Sequence, residues 1–396
     1  MKAVIAGAGI GGLAAGLALG RKGIEVEIFE QAAELKEVGA GIQISPNGMR
    51  ALEALGVTDA LEASIFEPEA ISMRMGQSGR KIFSLPMKDY AVRRWGARFC
   101  QVHRADLQEV LRVACLATGV TIRTGAKATG YVRERGGASL YLEDGSRAFG
   151  DVVVGADGLH SVLRAQIAGP DRARFTGNMA WRCTVAVDAL GDNVPPPEGC
   201  IWAGAGKHAV TTRVRAGDLV NFVGIVEQSS WRDEGWSLEG SREAALADFD
   251  GWVPEVRGVL KAAKTINRWA LFDRPSLATW NDGPVTLLGD AAHPMLPSMA
   301  QGAVQALEDA CVLAECLAAE RETFDALARY DLLRRDRTAR IQRRSAENLR
   351  LFHKSGLGQL LSYGPIWIAA RLSPAIIHGR QDWIYNYDPV GQIAAG

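Results

Sequence analysis

The N-terminal segment up to Gln31 constrains the fold of this chain more tightly than any other stretch. "KAVIAGAGIGG" opens with a short apolar run, and Gly7, Gly9 and Gly12 follow G-x-G-x-x-G spacing. "LAAGLALGRKG" then has the small residues of a closely packed helix that stops at Gly23, and "IEVEIFE" alternates like a strand. This order of strand, glycine turn, helix and strand predicts a βαβ unit and therefore a parallel α/β sheet.

The glycines of this turn also predict a ligand. Gly7 permits the tight turn, Gly9 lets the backbone approach a pyrophosphate, and Gly12 lets the helix pack on the strand. Gly11 lies in the same loop, at a helix N-terminus that stabilises phosphate charge. Glu30 ends the second strand, where an acidic side chain accepts a ribose hydroxyl. We therefore expect the unit to bind a dinucleotide.

Two later segments end in similar turns. In "GDVVVGADGLHSVLR" a buried strand over 152–154 leads into a turn containing Asp157. In "GPVTLLGDAAHP" a strand over 285–288 ends at Gly289 and Asp290. Three strand-to-glycine turns of this kind predict one cofactor that is contacted by segments far apart in sequence. A clean division into a cofactor half and a substrate half is therefore not expected.

Composition excludes several classes of protein. The 396 residues carry 45 basic and 45 acidic side chains, so nothing suggests a nucleic-acid surface or an electrostatic membrane anchor. The six cysteines show no C-x-x-C pairing, which favours reduced thiols and no metal site. The start shows no basic-then-apolar leader. The apolar stretch around Arg371 is broken by Gly and Pro, which favours a packed helix over a membrane span. We expect a cytoplasmic protein.

The middle of the chain has a different texture. Residues 178–268 are β-rich, and "HAVTTRVRAGDLVNFVGIVE" predicts a hairpin turning around Ala216 and Gly217. We expect 178–268, with 71–100, to form a β-sheet domain over the substrate, and 1–70, 101–177 and 269–396 to form the cofactor domain. After Gln301 the sequence is strongly helical, and its arginine run favours a solvated helix face over a phosphate site.

The whole chain resembles the group A, single-component flavoprotein aromatic hydroxylases, and most nearly salicylate hydroxylase, 3-hydroxybenzoate 6-hydroxylase and 6-hydroxynicotinate 3-monooxygenase. The resemblance implies an α/β fold of the para-hydroxybenzoate-hydroxylase type: a Rossmann-like FAD-binding domain, an inserted mainly β substrate domain and a helical C-terminus. The stretches that carry it, in order, are "GAGIGGLAAGLAL", "EQAAELKEVGAGIQISPN", "HRADL", "GADGLHSVLR", "GDAAHPMLPSMAQGAVQALEDA" and "DWIYNYD".

The resemblance implies extended FAD and gives individual residues roles. The residues expected at the adenosine and pyrophosphate end are Gly7, Gly9, Gly11, Gly12, Glu30, Gln31, Arg104 and Ala128. Asp157 serves FAD and the nicotinamide nucleotide, Asp290 holds the ribityl or pyrophosphate part, and Gln43 lies by the flavin. The residues expected beside the isoalloxazine are Pro297, Gly302 and Ala303. The helix that begins there would stabilise anionic reduced flavin. His293 is expected to be structural.

The reaction implied by the resemblance uses NADH or NADPH and O₂ to hydroxylate a small phenolic or hydroxypyridine-type ring, through a flavin C4a-hydroperoxide, in aromatic catabolism. The chain shows no second nucleotide-binding unit, which fits a nicotinamide nucleotide that binds only transiently. A homodimer is the family expectation. Two alternatives stay open: an FAD reductase or epoxidase for a non-aromatic substrate, and a flavin-holding protein without turnover.

The substrate pocket is expected around His208. Strand alternation puts His208 and Thr212 on one face and Arg213 on the other. A histidine suits removal of a phenolic proton near neutral pH. The branch that the chain resembles is expected to have His-x-x-x-Tyr, so Thr212 is a departure that implies a bulkier ring or another polar contact. Gln301 is assigned either to the pocket or to capping of its helix. Arg182 or Arg213 is a candidate partner for a substrate carboxylate, whereas the indoles of Trp181, Trp202 and Trp231 are expected in the core.

Overall fold

The computed structural model describes residues 1–35, 41–169, 173–229 and 238–394. A six-stranded sheet forms the centre of the cofactor-binding part. Its strands are β1 (Lys2–Ala6), β2 (Glu25–Phe29), β7 (Thr121–Arg123), β11 (Val152–Gly155), β18 (Asn281–Asp282) and β19 (Val285–Leu287). They lie in the order β18-β19-β11-β1-β2-β7, and all neighbouring pairs are parallel except β18 with β19. The three predicted glycine turns therefore follow β1, β11 and β19, which are adjacent strands.

Helices cover this sheet. The described helices are α1 (Ile10–Arg21), α2 (Pro46–Ala54), α3 (Thr58–Leu61), α4 (Lys88–Trp95), α5 (Arg104–Ala117), α6 (Val162–Ala168), α7 (Arg242–Asp248), α8 (Pro254–Ala262), α9 (Gly302–Ala319), α10 (Thr323–Phe352), α11 (Gly356–Leu372), α12 (Pro374–Gly379), α13 (Asp382–Tyr385) and α14 (Gly391–Ala394). Helix α1 packs against α5 and α9. Its apolar side chains join those of the sheet in one large core.

A second, eight-stranded sheet lies over the first. Its strands are β4 (Ala70–Met75), β5 (Lys81–Pro86), β12 (Arg174–Ala186), β13 (Gly199–Gly204), β14 (Lys207–Val214), β15 (Leu219–Glu227), β16 (Leu238–Glu239) and β17 (Asn267–Asp273). Their order is β16-β17-β12-β15-β14-β13-β4-β5. One face packs on α7 and α8 in a core of its own. The division of the chain into two domains at the boundaries given above stays a prediction.

Two small sheets complete the described strands. β3 (Gly41–Ile44) pairs antiparallel with β6 (Cys100–His103), and β6 contacts β14 of the large sheet. β8 (Ala128–Glu134), β9 (Gly137–Leu142) and β10 (Arg147–Gly150) form a three-stranded meander. The β3–β6 pair therefore packs on the eight-stranded sheet beside the predicted flavin.

The predicted hairpin is confirmed. β14 and β15 are antiparallel neighbours joined by a turn over 215–217, where Arg215 and Ala216 both have left-handed backbone, with φ of 52° and 54°. The solvated-face interpretation of the arginine run is wrong for Arg334, which is fully buried, and for Arg337, whose side chain is 10% exposed. Both arginines are buried because they form ion pairs with the buried Glu308.

The late apolar stretch forms α11 and α12. Among the described helices, none is long and apolar enough to cross a membrane. One side of α11 faces the cavity described below, whereas Leu357, Leu360 and Leu361 are exposed. The helix is therefore packed on one side only.

Candidate active site

A cavity of about 570 Å³ runs between the two large sheets. It extends from the turn after β1, past the turns after β11 and β19, to the inner face of the eight-stranded sheet. Helices α10, α11 and α12 close its far side. The predicted cofactor and substrate residues therefore border one continuous space.

The glycine turn is shaped by backbone contacts. Gly7 has φ of 100°, and a Cβ there would collide with the carbonyl of Ala156 in the turn after β11. A Cβ at Gly12 would collide with the carbonyl of Gly7. Gly9 and Gly11 instead line the cavity. Gly7 and Gly12 thus permit the approach of the two turns, while Gly9 and Gly11 leave backbone open to a ligand.

Glu30 lies beside this turn at the end of β2. Its carboxylate accepts hydrogen bonds from the backbone N–H groups of Ala8 and Ala32, each at 2.8 Å. Gln31 next to it is exposed. Neither Gln31 nor Ala128, the first residue of β8, lines the cavity. Their contacts with the adenosine end stay predictions.

Two buried or cavity-facing carboxylates follow the other turns. Asp157 accepts the N–H of Val162 at 2.8 Å through Oδ2, whereas its buried Oδ1 has no hydrogen-bond partner among the described residues. Burial raises the pKa of Asp157. Asp290 is surrounded by protein but exposed to the cavity that it lines, and burial raises its pKa against the lowering charges of His293 and Arg104. Such groups suit hydrogen bonds to ligand hydroxyls.

The predicted flavin residues also border the cavity. Gln43 on β3, Arg104 at the start of α5 and Pro297 line its wall. Helix α9 begins at Gly302, as predicted, with no side-chain cap, and Gly302 and Ala303 line the cavity. Uncapped N–H groups at a helix start favour a negatively charged ligand edge. Together with the glycine cradle and the unpartnered Asp157 oxygen, these residues fit FAD.

Gln301 occupies a different place from both expected ones. Its amide donates to Ser45 at 2.9 Å and accepts from Asn47 at 3.2 Å and Gln305 at 3.1 Å. Gln301 does not line the cavity, and although it is the N-cap residue of α9, its side chain makes no capping hydrogen bond. The reason is that Ser45 and Asn47, at the start of α2, form hydrogen bonds with the Gln301 amide. Gln301 therefore connects α9 to α2. Because its side chain does not reach the cavity, its catalytic role stays a prediction without structural support.

His293 lies in the same buried layer, where sequence analysis placed it as structural. Its Nε2 is 2.5 Å from Oδ2 of Asp309, and its ring packs on Trp280 at 5.1 Å between centroids. The side chain is 2% exposed and does not line the cavity. These contacts favour the structural role.

The inner face of the eight-stranded sheet forms the other wall. Strand pairing aligns one row of side chains across six strands: Arg182, Val223, Val210, Ile201, Met73 and Phe83. All six line the cavity. The row is apolar except at its Arg182 end. It therefore offers an aromatic ring a flat apolar surface with one cation at its edge.

His208 and Thr212 flank this row on β14, and both line the cavity, as alternation predicted. Thr212 is hydrogen-bonded by Nδ2 of Asn221 at 3.1 Å, and Oδ1 of Asn221 accepts the N–H of Gly41 at 2.7 Å. Asn221 also lines the cavity. An amide on the neighbouring strand thus supplies polar contacts beside Thr212, where the family resemblance leads us to expect tyrosine.

The two candidate arginines separate clearly. Arg182 lines the cavity, with its guanidinium carbon 3.7 Å from the centroid of the Trp269 ring. Arg213 does not line it and instead donates to the carbonyls of Pro195 at 2.9 Å and Gly217 at 3.4 Å. Arg213 lies on the face of β14 that points away from the cavity, so it is no longer a candidate partner for a substrate carboxylate.

The tryptophans occupy the core of the sheet. Trp181 and Trp202 are 2% and 0% exposed on the face away from the cavity, with their N–H groups donated to Asp248 and Thr211. Both predictions are confirmed. Trp231 lies outside the described residues.

Two residues near His208 were not predicted from the sequence. His353 contacts His208 directly, and Glu227 contacts His353. His208 is 1% exposed, and its Nδ1 is 2.8 Å from Nε2 of His353 at the end of α10. Nδ1 of His353 is 2.9 Å from Oε1 of Glu227 on β15. The only sequence feature that could have indicated His353 is that histidine is rare in this chain, which has six. Nothing local in "RLFHKS" indicates this contact.

Ionisation of the two histidines follows from their surroundings. Burial, and then the charge of His353, hold the pKa of His208 well below its ordinary value. Burial also lowers the pKa of His353, against a smaller raising effect of the hydrogen bond and charge of Glu227. Both imidazoles are therefore neutral at neutral pH. Nε2 of His208 has no hydrogen-bond partner among the described residues, so a buried acceptor is left unsatisfied on a residue that lines the cavity.

Comparison with known proteins agrees with this geometry. The family described as FAD binding domain matches residues 1–345. A 3-amino-4-hydroxybenzoate 2-monooxygenase of Streptomyces platensis is 39% identical over 391 residues, covering 98% of this chain and 96% of that protein. A 3-hydroxybenzoate 6-hydroxylase of Polaromonas naphthalenivorans is 35% identical over 388 residues, covering 97% and 96%.

Solved structures give the same fold. HpxO of Klebsiella pneumoniae, complexed with FAD and uric acid, has a TM-score of 0.83 at 28% identity, covering all of this chain and 97% of that one. A salicylate hydroxylase substrate complex has a TM-score of 0.82 at 27% identity, with coverage of 100% and 97%. Both support the expected para-hydroxybenzoate-hydroxylase-type architecture. The chain belongs to the FAD binding domain family, within which it is an FAD-dependent aromatic-ring monooxygenase.

Proposed function

We propose that the protein hydroxylates a small aromatic ring that carries both a hydroxyl and a carboxylate, or the hydroxypyridine equivalent, with His208 as the base. The observation that carries this proposal is the unpartnered Nε2 of a neutral, buried His208 at the cavity wall. Relatives named for 3-amino-4-hydroxybenzoate, 3-hydroxybenzoate and 6-hydroxynicotinate support the substrate class. These names favour an aromatic substrate over a non-aromatic one.

The spacing of the polar groups supports one ring between them. His208 pairs through Ile225 of β15 with Ala180 of β12, two residues before Arg182. Two strand spacings and two residues along a strand separate the Cα atoms of His208 and Arg182 by about 12 Å. Two side chains of this length and one substituted ring can span that distance. Arg182 would pair with the carboxylate, and His208 would reach the hydroxyl.

Each residue then has a defined task. When bound, FAD supplies two-electron chemistry with NADH or NADPH and activation of O₂. Nε2 of His208 accepts the hydroxyl proton, which makes the ring electron-rich at the positions ortho and para to the oxygen. Thr212 and Asn221 hold a polar edge of the ring, and the apolar row across the sheet excludes water. Before the reaction, a hydrogen on Nδ1 keeps His208 in the tautomer that can act as a base.

The test is oxidation of NADH and NADPH by the FAD-loaded protein with a panel of hydroxybenzoates, 3-amino-4-hydroxybenzoate and 6-hydroxynicotinate. We expect at least one compound to stimulate oxidation and to give hydroxylated product. His208→Gln keeps a polar side chain but removes the base, and it should lower the rate of hydroxylation by about 10²–10⁴-fold. Stimulated oxidation that yields only peroxide in the wild type, or an unchanged rate in His208→Gln, contradicts the proposal. The predicted homodimer is tested separately by sedimentation.

A further inference from the structure

We propose that His353 and Glu227 complete a proton path from His208 to solvent, so that the proton removed from the substrate leaves through the protein. The inference deepens the proposed function, because it rests on His208 as the base. The three side chains come from β14, the end of α10 and the end of β15. They form an unbroken series, with 2.8 Å between His208 and His353 and 2.9 Å between His353 and Glu227.

The carboxylate at the outer end fixes the tautomer of both imidazoles. An ionised Glu227 only accepts, so Nδ1 of His353 must carry the hydrogen that it donates. In a neutral ring, Nε2 of His353 is then an acceptor, and Nδ1 of His208 must be the donor to it. Nε2 of His208, a residue of the cavity wall, is thereby left without a hydrogen and free to accept one. The carboxylate of Glu227 thus sets the tautomer in which Nε2 of His208 can accept a proton.

Proton transfer along the path balances at every atom. The substrate hydroxyl gives its proton to Nε2 of His208, whose Nδ1 proton passes to Nε2 of His353. The Nδ1 proton of His353 passes to Oε1 of Glu227, and water takes it from there. Each imidazole gains one proton and loses one. The path runs in reverse when the oxygen of the product regains its proton, which restores both starting tautomers.

The surroundings suit transfer and exit. The His353 side chain is 3% exposed and that of Glu227 is 58% exposed, so only the outer end meets solvent. The ring of Phe352 packs edge-on against His208 at 5.1 Å. The N–H of Gly206 donates to the carbonyl of His353 at 3.1 Å, and the N–H of Glu227 donates to the carbonyl of Gly206 at 2.9 Å. One turn therefore holds both outer members of the path in register.

The first measurement needs no substrate turnover. In FAD-loaded protein with ¹⁵N-labelled histidine at pH 7.5, we expect His208 and His353 to carry hydrogen on Nδ1. Glu227→Gln presents an amide that can donate as well as accept, so the Nδ1-H form should lose population at both rings. A hydrogen on Nε2 of His208 in the wild type, or tautomers that do not respond to Glu227→Gln, overturns the path.

The second measurement follows the proton itself. Oxidised, FAD-loaded protein is mixed with 3-amino-4-hydroxybenzoate, and with 3-hydroxybenzoate as a second probe, in weak buffer with a pH indicator. His353→Gln keeps an acceptor for His208 but cannot relay. We expect proton release at least about tenfold slower, with probe affinity and the final amount of bound phenolate unchanged. Glu227→Gln should slow release less, and imidazole should restore the rate in His353→Ala.

The outcomes separate the two proposals. Glu109→Gln is the matched control, because its side chain is 57% exposed and pairs with Arg112 on α5, away from the cavity. Release at the wild-type rate in His353→Gln overturns the path and leaves His208 as the base. Absence of bound phenolate in the wild type with both bound probes overturns the base itself, and the path with it. Phenolate that forms without proton release overturns only the path.

Discussion

Nε of Arg334 lies 2.7 Å from Oδ1 of Asp309, and both side chains are fully buried beneath the start of α9. The same guanidinium pairs with Glu308 at 2.5 Å, and Arg337 adds a third ion pair to Glu308 at 2.8 Å. Glu308 in turn accepts from Asn47, which bonds Gln301. A charged layer thus fixes the segment that is predicted to hold the flavin.

Arg334→Met should be strongly destabilising because it leaves Glu308 and Asp309 buried with less compensation. Loss of one partner of a buried pair costs about 3–5 kcal/mol of the free energy of unfolding. Urea unfolding monitored by far-UV circular dichroism measures it. Arg329→Met on the same helix is the control. The Arg329 side chain is 31% exposed, so its ion pair with Glu320 should contribute less than about 1 kcal/mol. Equal losses in the two variants would contradict the role of the buried layer.

Gly12→Ala should weaken FAD binding. The added Cβ collides with the carbonyl of Gly7, so the turn after β1 must move away from the cavity. Overpacking of this kind costs about 1–3 kcal/mol, which corresponds to an FAD affinity lower by about 5- to 150-fold. Flavin absorbance after dialysis gives the retained fraction. Gly364→Ala, where an added Cβ meets nothing within 4 Å, should retain FAD as the wild type does; loss in both would point away from the turn.

Arg182→Met should raise KM for a carboxylate-bearing substrate by about 10–100-fold, because a charge-assisted pair is lost while the apolar stem is retained. The control Arg213→Met removes an arginine from the other face of the sheet. It should lower stability, since the carbonyl of Pro195 loses its donor, but leave KM unchanged. Steady-state kinetics on both variants decides the matter; a raised KM in Arg213→Met instead would reverse the assignment.

His378 should make the protein sensitive to acid. Burial, and then the charge of Arg94, lower its pKa to about 4, against a raising effect of Asp382. A depressed histidine pKa means that its stabilising contribution is full above the unfolded pKa near 6.5 and is lost as pH falls towards 4. His378→Phe keeps a ring against Tyr90, which stacks on His378 at 4.2 Å, but cannot titrate.

Between pH 7 and pH 5 the wild type should therefore lose about 2 kcal/mol more of its free energy of unfolding than His378→Phe does. Urea unfolding of both proteins at the two pH values measures the difference. Other titrating groups are common to the pair and cancel. Parallel losses in the two proteins would show that His378 titrates near its ordinary pKa.

Much of the cofactor site could be predicted because its features are local. The G-x-G-x-x-G turn, the acidic end of β2 and the start of α9 at Gly302 are each specified within one short stretch. Alternation along β14 likewise puts His208 and Thr212 on one face of a sheet. These predictions need only the backbone geometry of turns, helices and strands.

Other parts of the site could not be predicted because they depend on which surfaces meet. Arg182 and Arg213 look equivalent in sequence, and only the pairing of β12 and β14 within the sheet puts Arg182 in the cavity. Gln301 opens α9, yet the position of α2 takes its amide into a buried layer. Alternation along a strand predicts which side chains share a face of the sheet, but it does not predict which elements pack against that face.

The sequence by itself determined the βαβ unit, the glycine turns after β1, β11 and β19 and the face of β14, since each follows from residues close together in the chain. The tertiary structure decided what His208 contacts. His353 is 145 residues away from His208 and 126 residues away from Glu227, whereas His208 and Glu227 lie on the neighbouring strands β14 and β15. Their approach depends on how α10 docks across the sheet, and that docking arises from burial summed over many side chains.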